Sequence, residues 1–190
     1  LRKDKPRGAL VIYVCENELQ MQKPIFLLGF MGSGKTYWGK RLAAALEVEF
    51  IDLDQYIEKE EGKSVPEIFA EQGEAGFRAL ERAHLHSLAD ARGVISTGGG
   101  TPCFFDNLDW MKSVGTTLHL KVPLAVLCER LGRQRAKRPL LAQLDDAELP
   151  VFVEKMLLQR VPFYERADAA IDLLEDEKKM LEHLLAACTT

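Results

Sequence analysis

The sequence predicts a three-layer α/β/α domain built on a five-stranded parallel sheet. Three observations lead there. Short aliphatic or β-branched runs alternate with longer amphipathic segments from Pro24 onward; the first run ends in a glycine-rich turn that opens a helix; and 190 residues, 47% apolar and 28% charged, suit one soluble core. The expected strands are 25–28, 48–52, 94–97, 116–122 and 169–173. The expected helices are 35–46, rich in Ala, Leu, Lys and Arg; 74–91, with Phe77, Leu80, His84, Leu88 and Ala91 on one face; 123–131, opened by a proline; and 175–187. Ser64-Val65-Pro66-Glu67 has the form of a capping box with a first-turn proline and starts a short helix through Ile68 and Phe69. Right-handed crossovers place helices on both faces and leave ligands beyond the carboxyl ends of the strands.

Composition narrows the function. Folding at this size buries about 70% of the surface an unfolded chain exposes, so neither a disulfide nor a structural metal is needed. Cys15, Cys103, Cys128 and Cys188 show no CxxC spacing, which argues against a zinc ribbon or redox pair and fits a reducing, cytoplasmic setting. Twenty-five Lys and Arg against 29 Asp and Glu leave a net charge of −4, so no whole-molecule field attracts nucleic acid or an anionic membrane. The early apolar run at 9–15 is far short of the roughly 20 residues that span a bilayer. Residues 1–23 read as an N-terminal extension, an edge strand or a disordered arm, with Met21 a natural start; residues 24–190 form the single domain.

The first strand runs into Gly29-Phe30-Met31-Gly32-Ser33-Gly34-Lys35-Thr36, a GxxxxGK[ST] motif between a strand and a helix. Gly32, Ser33 and Gly34 let successive backbone N–H groups and the helix N-terminus face the phosphates of a nucleoside triphosphate. Lys35 bridges the β- and γ-phosphates, and Thr36 places its hydroxyl on Mg²⁺. No NKxD guanine-reading motif occurs, which points to a small kinase rather than a GTPase.

The second strand ends in Phe50-Ile51-Asp52-Leu53-Asp54, two carboxylates that an extended chain turns to the same side. One of them can hold Mg²⁺ through its water shell while the other deprotonates an attacking hydroxyl; alternatively, Asp54 caps the helix through Ile57. Arg78 has Glu81 one helical turn away to fix its guanidinium. The third strand ends in Gly98-Gly99-Gly100, which strips Cβ atoms from a turn where backbone meets ligand. His84 and His86 point to different helix faces and do not make a metal pair; all four histidines read as structural.

In order and spacing, the phosphate loop, Asp52-Leu53-Asp54, Phe77-Arg78 with Glu81, the triple glycine, Arg138-Pro139-Leu140-Leu141 and Arg160-Val161-Pro162-Phe163-Tyr164-Glu165 resemble the shikimate kinase family. The resemblance spans 24–172. It implies a P-loop kinase fold with strand order 2-3-1-4-5, a mobile lid at about 130–147, and phosphorylation of the shikimate 3-hydroxyl with ATP and Mg²⁺, on the route to chorismate and the aromatic amino acids. By the same resemblance, Asp54 binds the shikimate hydroxyls and acts as base, and Asp52 reaches Mg²⁺. Arg78 and Arg160 clamp the substrate carboxylate, Gly99 with its neighbours Gly98 and Gly100 meets a ring hydroxyl, and Val65, Phe69 and Phe77 wall the pocket, although their spacing equally suits a core. Arg138 is the lid arginine that swings onto the ATP phosphates, and Arg130 lies near the adenine.

Tyr37 and Trp38 depart from the family pattern, where a small or hydroxylated and then an aliphatic residue follow the loop threonine; Tyr37 lies past the phosphate contacts. Taken alone, Arg130, Arg133, Arg135, Lys137 and Arg138 would read as a solvated loop or an RNA patch. Two alternatives therefore stand beside the shikimate reading: a related kinase such as one for gluconate, and a non-catalytic nucleotide- or RNA-binding protein. The partners expected are ATP and shikimate, with no nucleic acid or membrane, acting on a monomer.

Overall fold

The computed structural model describes residues 23–135, 141, 143–173 and 176–188. Five strands, β1 (Ile25–Leu28), β2 (Glu49–Asp52), β3 (Gly93–Ser96), β4 (Thr116–Lys121) and β5 (Ala169–Asp172), pair in parallel in the order β2-β3-β1-β4-β5. β1 is central and wholly buried, and its alternate side chains feed both layers. Ile25 and Leu27 join Val94, Leu118 and Leu120 against Trp38 and Leu42 of α1 (Lys35–Ala45) and Met180 and Leu184 of α7 (Glu177–Ala187). Phe26 and Leu28 face the other layer. That layer holds α2 (Leu53–Glu61), α3 (Val65–Ser87), α4 (Asn107–Val114), α5 (Leu124–Arg133) and α6 (Glu148–Tyr164).

The capping box forms as expected: Ser64 accepts from the Glu67 N–H, and Glu67 accepts from the Ser64 N–H. The short helix it starts runs to Gly73, whose φ of 67° and ψ of −176° are not helical, and the helix expected from 74 follows directly; the two together are α3, which ends at Ser87 rather than 91. α6 has no counterpart among the expected helices, and it carries two prolines. Pro150 falls in the first turn, where its missing N–H has no helical partner to lose, and Pro162 falls near the end. Asp145 and Glu148 also close reciprocally over the start of α6, with Asp145 Oδ1 accepting from the Glu148 N–H at 2.8 Å and Glu148 Oε2 from the Asp145 N–H at 3.0 Å.

A correction concerns the two aspartates. The strand does not run through Asp54: β2 ends at Asp52, which precedes α2, and Asp54 stands in the first helical turn. Extended-chain alternation therefore cannot be what aligns them. Asp54 does not cap that helix either; the cap position is Asp52, whose side chain makes no capping bond.

Candidate active site

The carboxyl ends of β1, β2 and β3 open into a cleft of about 1060 Å³. The phosphate loop forms its floor. Gly34 caps α1 in left-handed conformation (φ 95°), with Gly32 also left-handed (φ 80°), so side chains are disfavoured where the loop must wrap an anion. Lys35 is nearly buried and donates to the Gly29 carbonyl at 2.7 Å and the Phe30 carbonyl at 3.1 Å, holding a positive charge under the loop. Thr36 donates to Asp52 Oδ2 at 3.0 Å, which brings a hydroxyl and a carboxylate together on the cleft wall. These are hard oxygen donors, and they fit Mg²⁺. Ser33 differs from its neighbours: its N–H is bonded to the Phe30 carbonyl and its hydroxyl is buried on the side away from the cleft.

Asp54 lines the same cleft as Asp52. Burial, then the adjacent Asp52 and Glu81 charges, push its carboxyl up to about 6, against the opposing pull of Lys35 and Arg78. A carboxylate poised there is a better base at neutral pH than an ordinary aspartate. Gly98 and Gly99 form the third wall.

The two arginines stand on the far side of the glycine turn, and the turn's missing side chains make room for them. A Cβ at Gly100 would lie 2.8 Å from Arg78 Nη2, and one at Gly99 would lie 3.2 Å from Arg160 Nη1. Arg78 is held by Glu81 at 2.9 Å and Glu74 at 3.3 Å and lies over the Phe104 ring at 4.1 Å. Arg160 lies over Phe30 at 5.4 Å. Cys103 sits between the two positive fields, yet burial dominates and raises its thiol to about 11, which leaves it unreactive. The sequence reading overlooked Tyr164: wholly buried, it donates to the Gly99 carbonyl at 2.5 Å and so fixes that peptide. Its position four residues after Arg160, on the same helix face, was the available signal.

The remaining expected site residues divide. Arg130 reaches the loop, donating to the Gly32 carbonyl at 3.1 Å from the cleft wall. Phe77 is core, stacked on Phe69 at 4.5 Å, and Val65 packs against the same core. Arg138 lies outside the described residues. Tyr37 is not remote from the cleft: it lines the rim, donates to Glu177 Oε1 and packs under the Arg41 guanidinium at 4.5 Å, tying α1 to α7. Trp38 is absorbed beneath the loop, 3.3 Å from where a Gly34 Cβ would stand. His84 bonds Glu61 and His86 stacks on Trp110, so the two do separate.

A glycine loop shaped to hold phosphates at the end of the central strand, with paired carboxylates where β2 passes into α2 two strands away, defines a P-loop phosphotransferase. The family model described as "SKI: Shikimate kinase" matches residues 31–189. A shikimate kinase of Bacteroides thetaiotaomicron is 50% identical over 155 residues, covering 80% of this chain and 89% of its own; one from Phocaeicola vulgatus is 48% identical over 159 residues, covering 82% and 91%. Among solved structures, the shikimate kinase from Bacteroides thetaiotaomicron superposes with a TM-score of 0.83 at 44% identity, covering 88% of this chain and 99% of that one. The Acinetobacter baumannii enzyme in complex with shikimate gives 0.78 at 31%, covering 90% and 97%. A gluconokinase from Sinorhizobium meliloti, at 0.58 and 18%, shares the fold alone. The chain belongs to the shikimate kinase family.

Proposed function

We infer that this chain transfers the γ-phosphoryl group of ATP to the 3-hydroxyl of shikimate, giving ADP and shikimate 3-phosphate, on the route to chorismate and the aromatic amino acids. The observation that carries the acceptor reading is the placement of Arg78 and Arg160 against adjacent glycines of one turn, with Asp54 nearby. Two guanidiniums converging beside one turn suit a carboxylate-bearing acceptor, because together they fix both its position and its orientation.

In this reading Asp54 accepts the proton as the hydroxyl oxygen bonds to phosphorus and the bridging oxygen leaves with ADP. Lys35 and the loop amides hold the phosphates, and Arg130 sits against the loop from the nucleotide side. Thr36 and Asp52 would hold Mg²⁺, which neutralises phosphate charge when bound. Gly98, Gly99 and Gly100 let the acceptor approach the backbone. A monomer in the cytoplasm, with no nucleic-acid or membrane partner, completes the proposal; the net charge of −4 supports the last part, since it provides no whole-molecule attraction for polyanions. Among the described residues no helix is long and apolar enough to cross a membrane.

The test is coupled ADP release with Mg²⁺ and ATP in the presence of shikimate, quinate, gluconate or no acceptor. Stimulation by shikimate alone is expected; equal stimulation by gluconate, or none by shikimate in protein that binds ATP, would overturn the acceptor assignment.

A further inference from the structure

Behind the phosphate loop lies a second cavity, of about 110 Å³. Its walls are largely apolar, with Phe30, Leu127 and Val161 among them, yet Ser33 and His119 also line it. Both are buried, at 1% and 6% exposure, and Ser33 Oγ and His119 Nδ1 have no hydrogen-bond partner in the protein. Buried polar atoms are nearly always satisfied, and leaving one bare costs more than a typical hydrogen bond gains. Two bare atoms on one cavity, with room for about one to three waters, have a common remedy. The exposed residues Lys121 and Glu165 also line the space and give water a way in.

The surroundings leave little other choice. A Cβ on Gly29 would fall 2.9 Å from both Ser33 Oγ and the Leu120 carbonyl, so the hydroxyl is closely packed on that side. The imidazole lies 5.0 Å from the Tyr164 ring, tilted 35° to it, and its backbone pairs with Leu28, the last residue of β1 before the loop. Burial, reinforced by Lys121 and Lys35, lowers its pKa to about 4, so at neutral pH the ring is uncharged and can bond water through either tautomer.

We propose that this cavity is a buried hydration site in which ordered water bridges Ser33 Oγ to His119 Nδ1, and that the pair positions the phosphate loop for the nucleotide through that water. Ser33 lies between the two left-handed glycines of the loop, so a restraint on its side chain is a restraint on the anion cradle. The consequence for ligand binding rests on reading the loop as the nucleotide site; the bridge itself does not.

The experiment compares wild type with Ser33→Ala, His119→Leu, the double variant and His119→Asn, whose amide stands where Nδ1 stood. Urea unfolding of the nucleotide-free protein reads the bridge, and calorimetric titration with Mg-ADP together with the KM values for ATP and shikimate reads its consequence. Each single variant is expected to lower the folding constant and the ADP affinity about 3- to 10-fold, with the double variant no worse than about the poorer single, because both remove the same water. His119→Asn is expected to recover ADP affinity to within about twofold, and the KM for shikimate should stay within about twofold throughout. Independent, multiplying losses in unfolding would overturn the bridge. Equal losses for ADP and shikimate, or no rescue by asparagine, would overturn the positioning role. A wild type that fails to bind ADP would instead defeat the nucleotide reading, with the unfolding cycle still deciding the bridge.

Discussion

Arg78 and Glu81, one turn apart on α3, form an ion pair at 2.9 Å in which Glu81 is inaccessible to solvent. The other Glu81 oxygen accepts the Thr101 hydroxyl at 2.6 Å, so one buried carboxylate sets both the guanidinium and the turn beside the triple glycine. Glu81→Ala strands a largely buried cation with only the exposed Glu74 as partner. We expect a loss of about 3–5 kcal/mol in urea unfolding, and a KM for shikimate raised far more than that for ATP. A loss below about 1 kcal/mol would mean that Glu74 suffices.

Asp54 makes activity and stability oppose each other. Its ionised form is the base, so kcat/KM should fall about tenfold per pH unit below about pH 6. Its folded carboxyl binds a proton more readily than the unfolded one, so its contribution to stability is greatest in acid and declines as pH rises from about 4 to about 6. Asp54→Asn should therefore lose about 10²-fold or more in turnover while gaining up to about 3 kcal/mol at pH 7.5. A flat rate profile from pH 5 to 8, or a variant with lower Tm than wild type, would count against this.

Gly100 is required by its neighbour rather than by its backbone. Alanine there places Cβ 2.8 Å from an Arg78 Nη2 that Glu81 and Phe104 hold in place. The expected result is a shikimate KM raised about tenfold or more with the ATP KM little changed, since misplacing a positioning group costs on that scale. Gly62→Ala makes the contrast: its φ is 65° in open space, so it should cost about 1 kcal/mol of stability and leave the kinetics alone.

Arg160 and Tyr164 share a helix face but not a task. Arg160→Ala should weaken acceptor binding by about 2–5 kcal/mol with little effect on ATP, whereas equal losses for both ligands would give Arg160 a structural role. Tyr164→Phe leaves the Gly99 carbonyl without its donor and should cost about 1–3 kcal/mol in thermal unfolding, with the shikimate KM following through the displaced glycine peptide.

What the sequence determined by itself was local. The phosphate loop is eight contiguous residues whose glycines permit the backbone the anion needs, and the Ser64 box is closed within four residues, so neither depends on distant chain. The strands also emerged, because a buried parallel sheet leaves continuous aliphatic runs. Proline-bearing α6 was missed, and Asp54 was read as extended chain rather than as the first turn of α2, since propensity and alternation do not say where tertiary packing turns a strand into a helix or tolerates a proline. Only the tertiary structure decided that Asp54 would have a raised pKa, because that follows first from burial and then from the charges of Asp52 and of Glu81, 27 positions along the chain. It alone brought Tyr164 to Gly99, 65 residues away, and set Ser33 and His119 around one cavity. Desolvation and close packing are properties of the folded neighbourhood, and no spacing along the chain encodes them.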